Sequence, residues 1–346
     1  RGPQGTLYGR NATGGAINLV TRTADPEMLS FRQQLQGGNL GRFRSRSILN
    51  VPITDTTALK LAYAYSERDG WVDNEGSGED FGAEERDNFT ADFHWEVSDD
   101  MTLDYKYDRS TIEDTCRLSQ VLEFYPDAPS AGVIAFENAE LYKNGNPKEA
   151  TDDRLDDATS FDKVEVGDIE IDAHTLVLAW DVNDTLTFKS LTGYRDVDAF
   201  SQFSQSPTTS LFNTFTITNG LPETDFEQLS QEFQLLGVTD DWTWVGGLYY
   251  YEDESEEVNL GDSNGSEAIP EGELVDFTST DNTSIAIFGQ ATWTPDWQDR
   301  RWHFTLGARY SDDNRKADRD NNRVSFGFAG SPSNVPAFRG KYDKDF

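Results

Sequence analysis

The chain has 346 residues and carries 29 Lys and Arg against 63 Asp and Glu, a formal net charge of −34. Cations this sparse exclude nucleic acid as a partner, because binding by counterion release needs Lys and Arg in clusters. Apolar residues make up 36% of the chain, yet 8 Trp, 13 Tyr and 22 Phe are too many aromatics for a chain that stays unfolded, so some surface or solvent must take them up.

The chain opens on Arg1-Gly2-Pro3-Gln4-Gly5-Thr6-Leu7-Tyr8-Gly9-Arg10-Asn11-Ala12-Thr13-Gly14-Gly15-Ala16-Ile17-Asn18-Leu19-Val20-Thr21. Glycine permits tight turns and close backbone approach, and Ala16 to Thr21 reads as a short strand ending the segment. No Gly-Lys-Ser or Gly-Lys-Thr follows, which excludes a phosphate loop. The chain begins at Arg1 rather than Met and shows no charged-then-apolar leader, so it is read as a piece of something longer.

Downstream the dominant signal is period two, the mark of half-buried strands. Leu59, Leu61, Tyr63 and Tyr65 alternate with Lys60, Ala62, Ala64 and Ser66. Phe89, Ala91, Phe93, Trp95 and Val97 alternate with Asn88, Thr90, Asp92, His94 and Glu96, and the same split recurs in Met101 to Asp108 and Trp302 to Tyr310. A weaker copy runs through Leu176, Leu178, Trp180 and Val182; Ile169 and Ile171 are out of phase with it, which predicts a bulge near His174.

The connections alternate in length. Short Asp-bearing turns fall at Asp55, Asp99, Asp184, Asp240 and Asp296, and between them lie long connectors over 67–86, 112–168, 196–225, 252–282 and 312–339. An up-and-down sheet with tight turns at one end and large loops at the other is the simplest topology with this rhythm. Counting gives about eleven strands, most of them longer than the ~5–6 residues usual in globular proteins and long enough for the ~9–11 that cross a bilayer. Lys341 to Phe346 reads as the start of a twelfth. A barrel in lipid turns apolar residues outward and polar ones inward, so low average hydropathy is compatible with insertion, and Trp95, Trp180, Trp242 and Trp293 near the short turns fit an aromatic girdle. On this reading Phe93→Lys is costly and Asp92→Asn, on the opposite face, nearly silent.

The opening segment resembles the end of the plug domain of TonB-dependent outer-membrane receptors. The shared motif residues are Arg1, Gly2, Pro3, Gly5, Leu7, Tyr8, Gly9, Gly14, Gly15 and Asn18, with softer echoes at Thr192-Gly193-Tyr194-Arg195 and Ser230-Gln231-Glu232. The resemblance implies an all-β, antiparallel, up-and-down transmembrane barrel of which this chain holds the first half. Residues 1–25 would be the C-terminal end of the plug and residues 26–346 the N-terminal half of the barrel, open because the remaining strands of a family barrel of about 22 are missing. It implies energised uptake of a scarce ligand, a ferric siderophore first, with cobalamin, haem or an oligosaccharide as alternative cargoes. The partners implied are the TonB complex, reached through a missing N-terminal part, and the lipid and lipopolysaccharide of a Gram-negative outer membrane. A passive porin or a secreted β-sheet binding protein are the competing classes.

In the family the Arg of this motif locks plug to barrel through inward glutamates, which points to an Arg1–Glu232 ion pair. The longest connector carries Phe124, Tyr125, Phe136 and Tyr142, weak candidates for ligand contact. Residues 252–281 hold eleven acids and no Lys or Arg, read as a solvated loop with cation attraction as the alternative. One cysteine, Cys116, cannot close an internal disulfide, and His94, His174 and His303 are too scattered for a ligand cluster. No nucleophile, base and orienting acid stand together, so neither an enzyme, a metal site nor a cofactor is expected.

Overall fold

A computed structural model describes residues 5–9, 14–17, 20–76, 78–115, 117–118, 153–158, 164, 166–201, 203–204, 219–263, 272–297, 299–323 and 338–345. One helical turn, α1 (Gly5–Tyr8), precedes the strands β1 (Ser30–Gly37), β2 (Phe43–Thr54), β3 (Thr57–Arg68), β4 (Asp73–Asn74), β5 (Glu84–Ser98), β6 (Met101–Thr115), β7 (Asp157–Ala158) and β8 (Val166–Asn183). There follow β9 (Leu186–Phe200), β10 (Phe203–Ser204), β11 (Asn219–Val238), β12 (Trp242–Ser263), β13 (Gly272–Trp293), β14 (Phe304–Arg323) and β15 (Phe338–Asp345). The long strands form one antiparallel sheet in the order β1-β2-β3-β5-β6-β8-β9-β11-β12-β13-β14-β15, with β10 attached to β11. The path runs from β1 to β15 without closing, and β15 is the strand whose start the sequence marks at Lys341.

Directly paired residues share a face, so the register assigns every side chain to one side of the sheet. Leu59, Phe93, Tyr105 and Leu176 lie in one such row, and Leu248, Ile287 and Tyr310 in another. No second layer covers this face among the described residues: Leu306 is 82% exposed, Ile285 61% and Ile287 58%. A soluble sandwich would bury these side chains against a facing sheet about 10 Å away. Near the short turns the face carries Trp95, Trp180, Trp242 and Trp293, with Trp242 and Trp293 ring centroids 6.1 Å apart. Toward the other end tyrosines take over, and their hydroxyls donate to carboxylates: Tyr65 to Glu67 at 2.6 Å, Tyr107 to Asp172 and Tyr250 to Glu252. Trp242 to Tyr250 on β12 spans about 27 Å of strand, which a tilt of ~40° reduces to about 21 Å, close to the band that hydrocarbon requires.

Two sequence expectations fail beyond that band. The β8 ladder runs unbroken past His174 and shifts only between Asp181 and Asn183, beside the turn, so there is no bulge near His174. Ile169 and Ile171 are out of phase because the band has ended: Glu170 and Asp172 now occupy the outward face, where Arg109 holds both, at 2.7 and 3.0 Å. The acidic stretch 252–281 is likewise not mainly a loop. β12 and β13 stay in register from Trp242↔Trp293 to Ser263↔Gly272, because an antiparallel ladder satisfies its own backbone polar groups in water as well as in lipid.

The register aligns Asp172, Asp196, Glu227, Glu254 and Asp281 on successive strands, and Asp198 stands opposite Asp225 in a neighbouring row. Like charges directly opposite destabilise a sheet. The Asp198 carboxyl is accordingly pushed above the usual range, first by sharing a hydrogen bond with Asp225, then by desolvation and by the Asp225 charge. An acid with a raised folded pKa binds its proton more tightly in the folded than in the unfolded chain, so this pair favours the fold at low pH and opposes it as pH rises through that pKa. Amide exchange in residues 196–200 and 223–227, corrected for intrinsic rate, is therefore expected to be faster at about pH 7 than at about pH 4. Asp198→Asn should remove the difference; an unchanged pH response in that variant would contradict the assignment.

The connectors 67–86 and 112–168 do not stay separate. β4 pairs in parallel with β7, Gly78 bridges Val164, and Val72, Phe81, Ala158 and Val164 form a small buried cluster beside Trp71 and Leu118. The guanidinium carbons of Arg68 and Arg154 stand 5.4 and 5.0 Å from the Trp71 ring centre. Thr115 ties this knob to the end of β6, donating to the Asp80 carbonyl at 2.7 Å and accepting from the Ala83 amide at 2.8 Å. Gly78 has φ +96°, and an added Cβ would overlap the Val164 carbonyl. Gly78→Ala should therefore cost about 1–3 kcal/mol locally and speed proteolysis in the knob while leaving the sheet intact. Unchanged cleavage would show that the two connectors are held by other means.

Candidate functional site at the inner wall

Within the glycine-rich opening, α1 and Gly9 lie on the sheet face opposite the exposed apolar one. α1 packs on β13 and β14, and its turn closes through the Gly9 amide donating to the Gly5 carbonyl at 3.0 Å. Glycines on both partners make this approach possible. Gly9 has φ +75°, and a Cβ there would lie 3.4 Å from the Arg309 guanidinium carbon; a Cβ on Gly307 would come within 2.7 Å of the Thr6 methyl.

Below Gly9, the Arg309 guanidinium carbon is 5.3 Å from the Tyr249 ring centre and 5.5 Å from that of Phe288, and its Nε donates to Ser311 Oγ at 3.0 Å. Ring faces attract a guanidinium placed over them, so the two aromatics help to hold Arg309 in this position. A cavity of about 300 Å³ opens beside it, lined by Tyr8, Tyr251, Asn282, Ser284, Arg309 and Arg315 among others. Glu232 is paired with Tyr249 across the β11–β12 ladder and accepts a hydrogen bond from Gln234, so it belongs to the same wall patch as Arg309.

The stretch joining this segment to β1 makes a second contact with the wall. The Ala24 amide donates to Asp92 Oδ1 at 3.0 Å and the Asp25 amide to Asn50 Oδ1 at 2.9 Å. Asn50 Nδ2 returns bonds to the Asp25 and Met28 carbonyls at 2.8 and 2.6 Å. Lys60 Nζ pairs with Asp92 Oδ2 at 2.9 Å and also reaches the Arg22 carbonyl. Asn50 and Asp92 are only 5% and 4% exposed. This overturns the expectation that Asp92→Asn is silent: Asp92 faces inward as the alternation requires, but there it meets the connecting strand rather than open water.

Of the residues singled out in the sequence, Gly5, Leu7, Tyr8, Gly9, Gly14 and Gly15 are described. Arg1, Gly2, Pro3 and Asn18, together with Phe124, Tyr125, Phe136, Tyr142 and Cys116, lie outside the described residues. Sequence reasoning missed Asn50, Asp92, Lys60 and Arg309. The only available signal was their place on the polar side of the alternation, which they share with many other polar residues. His94 pairs with Asp104 at 2.6 Å directly across β5–β6, a cross-strand contact. Among the described residues no three His, Cys, Asp or Glu are arranged to hold a metal ion.

Residues 95–342 match the family described as TonB dependent receptor-like, beta-barrel. The pesticin receptor of Yersinia pestis is 47% identical over 57 residues, 16% of this chain and 8% of that protein. The metal-pseudopaline receptor CntO of Pseudomonas aeruginosa is 29% identical over 105 residues, 30% of this chain and 14% of that protein. Among solved structures, the ferric yersiniabactin uptake receptor FyuA from Yersinia pestis superposes with a TM-score of 0.72 at 19% identity, covering 100% of this chain and 47% of that one. The ferric-catecholate import receptor Fiu from E. coli K12, in its open form, gives 0.64 at 18% identity and is covered to 54%. The chain thus spans about half the length of the solved structures it matches, and at these identities they establish the fold alone.

Proposed function

This chain belongs to the TonB-dependent receptor-like β-barrel family, a family of the Gram-negative outer membrane, and from that premise we propose that it is part of a receptor that takes up a ferric siderophore at the expense of TonB-coupled energy. Residues 1–25 are then the end of the plug and residues 26–346 the first half of the barrel wall. Ligand would be captured from outside, beside the knob around Trp71, and admitted when the plug shifts against the inner wall.

The observation that carries this reading is the pairing of faces. The exposed apolar face asks for hydrocarbon, while the opposite face is polar and seats α1 at β13 and β14 and the joining stretch at Ala24 and Asp25. A passive porin has no use for a segment so anchored. Several structurally similar proteins are receptors for iron chelates by name, FyuA and Fiu among them, which favours iron over the other cargoes. Glu232 faces inward and pairs with Tyr249, the ring beside Arg309 under Gly9, which favours it as the acid for Arg1 in a plug-to-wall lock.

The test is uptake of radiolabelled iron, offered as ferric yersiniabactin, a ferric catecholate or ferric citrate, by cells making the full-length protein. Uptake of at least one chelate should depend on the protein and stop when TonB is deleted. Equal uptake with and without the protein for every chelate would overturn the iron assignment, and uptake that survives TonB loss would overturn the energised mechanism.

A further inference from the structure

The opening segment is continuous with the wall: only residues 26–29 lie between Asp25 and Ser30, the first residue of β1. A segment that shifts while joined to β1 passes its tension to Ser30 unless something ahead of Ser30 holds the chain. Ser30 pairs with Asn50, Asn50 with Lys60 and Lys60 with Asp92, which makes one inward row across β1, β2, β3 and β5. The side chains of Asn50, Lys60 and Asp92 all grip the chain ahead of Ser30.

Asn50 holds one residue at both of its backbone groups. Its Oδ1 accepts from the Asp25 amide at 2.9 Å while its Nδ2 donates to the Asp25 carbonyl at 2.8 Å, as a ladder partner would, and Nδ2 also reaches the Met28 carbonyl at 2.6 Å. The Glu27 amide donates to Asp25 Oδ1 at 2.9 Å, which closes the gripped stretch into a turn. Asp92 takes the Ala24 amide on Oδ1, and Lys60 fixes its Oδ2 at 2.9 Å while reaching the Arg22 carbonyl. The chain is thus held at residues 22, 24, 25 and 28 from three adjacent strands, so tension strains these bonds together rather than one after another. Ala24 is 2% exposed, and Asn50 and Asp92 are as well buried, so water hardly competes for them.

We propose that the Asn50–Lys60–Asp92 row is a tension stop: it keeps residues 22–28 fixed while the chain ahead of them moves, and it leads the load into β2, β3 and β5 before it reaches the first ladder bonds of β1. The chemistry suits the task. A carboxamide is the short side chain that can accept from an amide and donate to a carbonyl at once, so Asn50 grips a backbone that offers both. A carboxylate whose second oxygen is held by an ammonium cannot swing away with the amide it binds, and its charge strengthens the bond to that amide. The proposal rests on the energised-uptake reading, which supplies the tension, and it names the point in this chain where that movement ends.

The test pulls the purified full-length receptor, embedded in a supported bilayer, by its N-terminus in a single-molecule force experiment, with neither cargo nor TonB present. In wild type the last event before the strands give way should be release at Arg22. Asn50→Ala with Asp92→Ala should move that resistance to Ser30, lengthening the freed chain by about 26–29 Å, the extended span of residues 22–29. Asn50→Asp keeps an acceptor but loses both donors, so it should lower the force of the event without moving it, and it serves if the double variant does not fold. Thr90→Ala, which removes an inward bond to Asp108 on the same wall, should leave the trace unchanged. A wild-type trace with no event ahead of Ser30, or one that both the double variant and Asn50→Asp leave as it was, overturns the stop. In cells the double variant should be degraded faster than wild type during iron uptake, and no faster once TonB is deleted; equal loss in both backgrounds overturns the tension role. Wild-type uptake that ignores TonB removes the energised reading instead, while the pulled traces still judge the stop.

Discussion

Phe93→Lys is expected to destabilise the full-length protein in lipid by about 1–3 kcal/mol, the cost of a lysine between the girdle and the middle of an apolar band. Phe93 sits between Leu59 and Tyr105 on the exposed face, two residues from the girdle tryptophan Trp95. No protein layer is there to shield the ammonium, and the side chain must stretch toward the interface to be hydrated. Leu191→Lys is the matching control. Leu191 is on the opposite face, paired with Val177 and Glu232, so a lysine there meets water and a carboxylate and should cost under about 1 kcal/mol. Denaturant unfolding from lipid vesicles reads both. Equal costs would mean that the two faces do not meet different solvents, and the receptor reading would fall with that result.

Asp92→Ala should cost about 3–5 kcal/mol, more than the lipid-face substitution although it inserts nothing foreign. The Asp92 and Lys60 side chains are 6% and 16% exposed, so removing the carboxylate leaves an ammonium in a poorly hydrated place. The Ala24 amide loses its acceptor at the same time. Desolvation has already been incurred by both groups, and breaking one side forfeits the return. Lys60→Ala and the double variant complete a cycle. The coupling between the two should be on the order of 1–3 kcal/mol, and the Ala24 amide should exchange faster in Asp92→Ala than in wild type. A cost within about 0.5 kcal/mol of zero would show that the connecting strand is held without Asp92.

These two substitutions concern adjacent residues, and the sequence treats them very differently. Phe93 is readable because its role depends only on period two and on which side of the pleat it falls. Asp92 is not, because its role depends on residue 24, far away in the chain and devoid of a side-chain signal of its own. The same contrast separates the Trp girdle, which recurs at four of the five short turns, from Arg309, whose cation–π seat requires Tyr249, Phe288 and Gly9 to converge from two strands and the opening segment. The knob around Trp71 belongs with Arg309: neither connector carries a periodic pattern, and the small apolar cluster exists only because Val72 and Phe81 meet Ala158 and Val164.

Local pattern misled where it was asked to find an end. The phase break at Ile169 and the acid-rich run after Glu252 both look like interruptions, yet the ladder passes through each, since backbone pairing is indifferent to whether lipid or water lies outside. Alternation, hairpin rhythm and the opening glycine motif by themselves determined the sheet, its up-and-down order, its two unlike faces and the family, because each is a short-range property that repeats along the chain. Tertiary structure alone decided which inward side chains hold the opening segment and how residues 71–81 and 157–164 of two long connectors clasp one another. Those outcomes depend on distances between residues far apart in sequence, which register and chain path set and no local periodicity encodes.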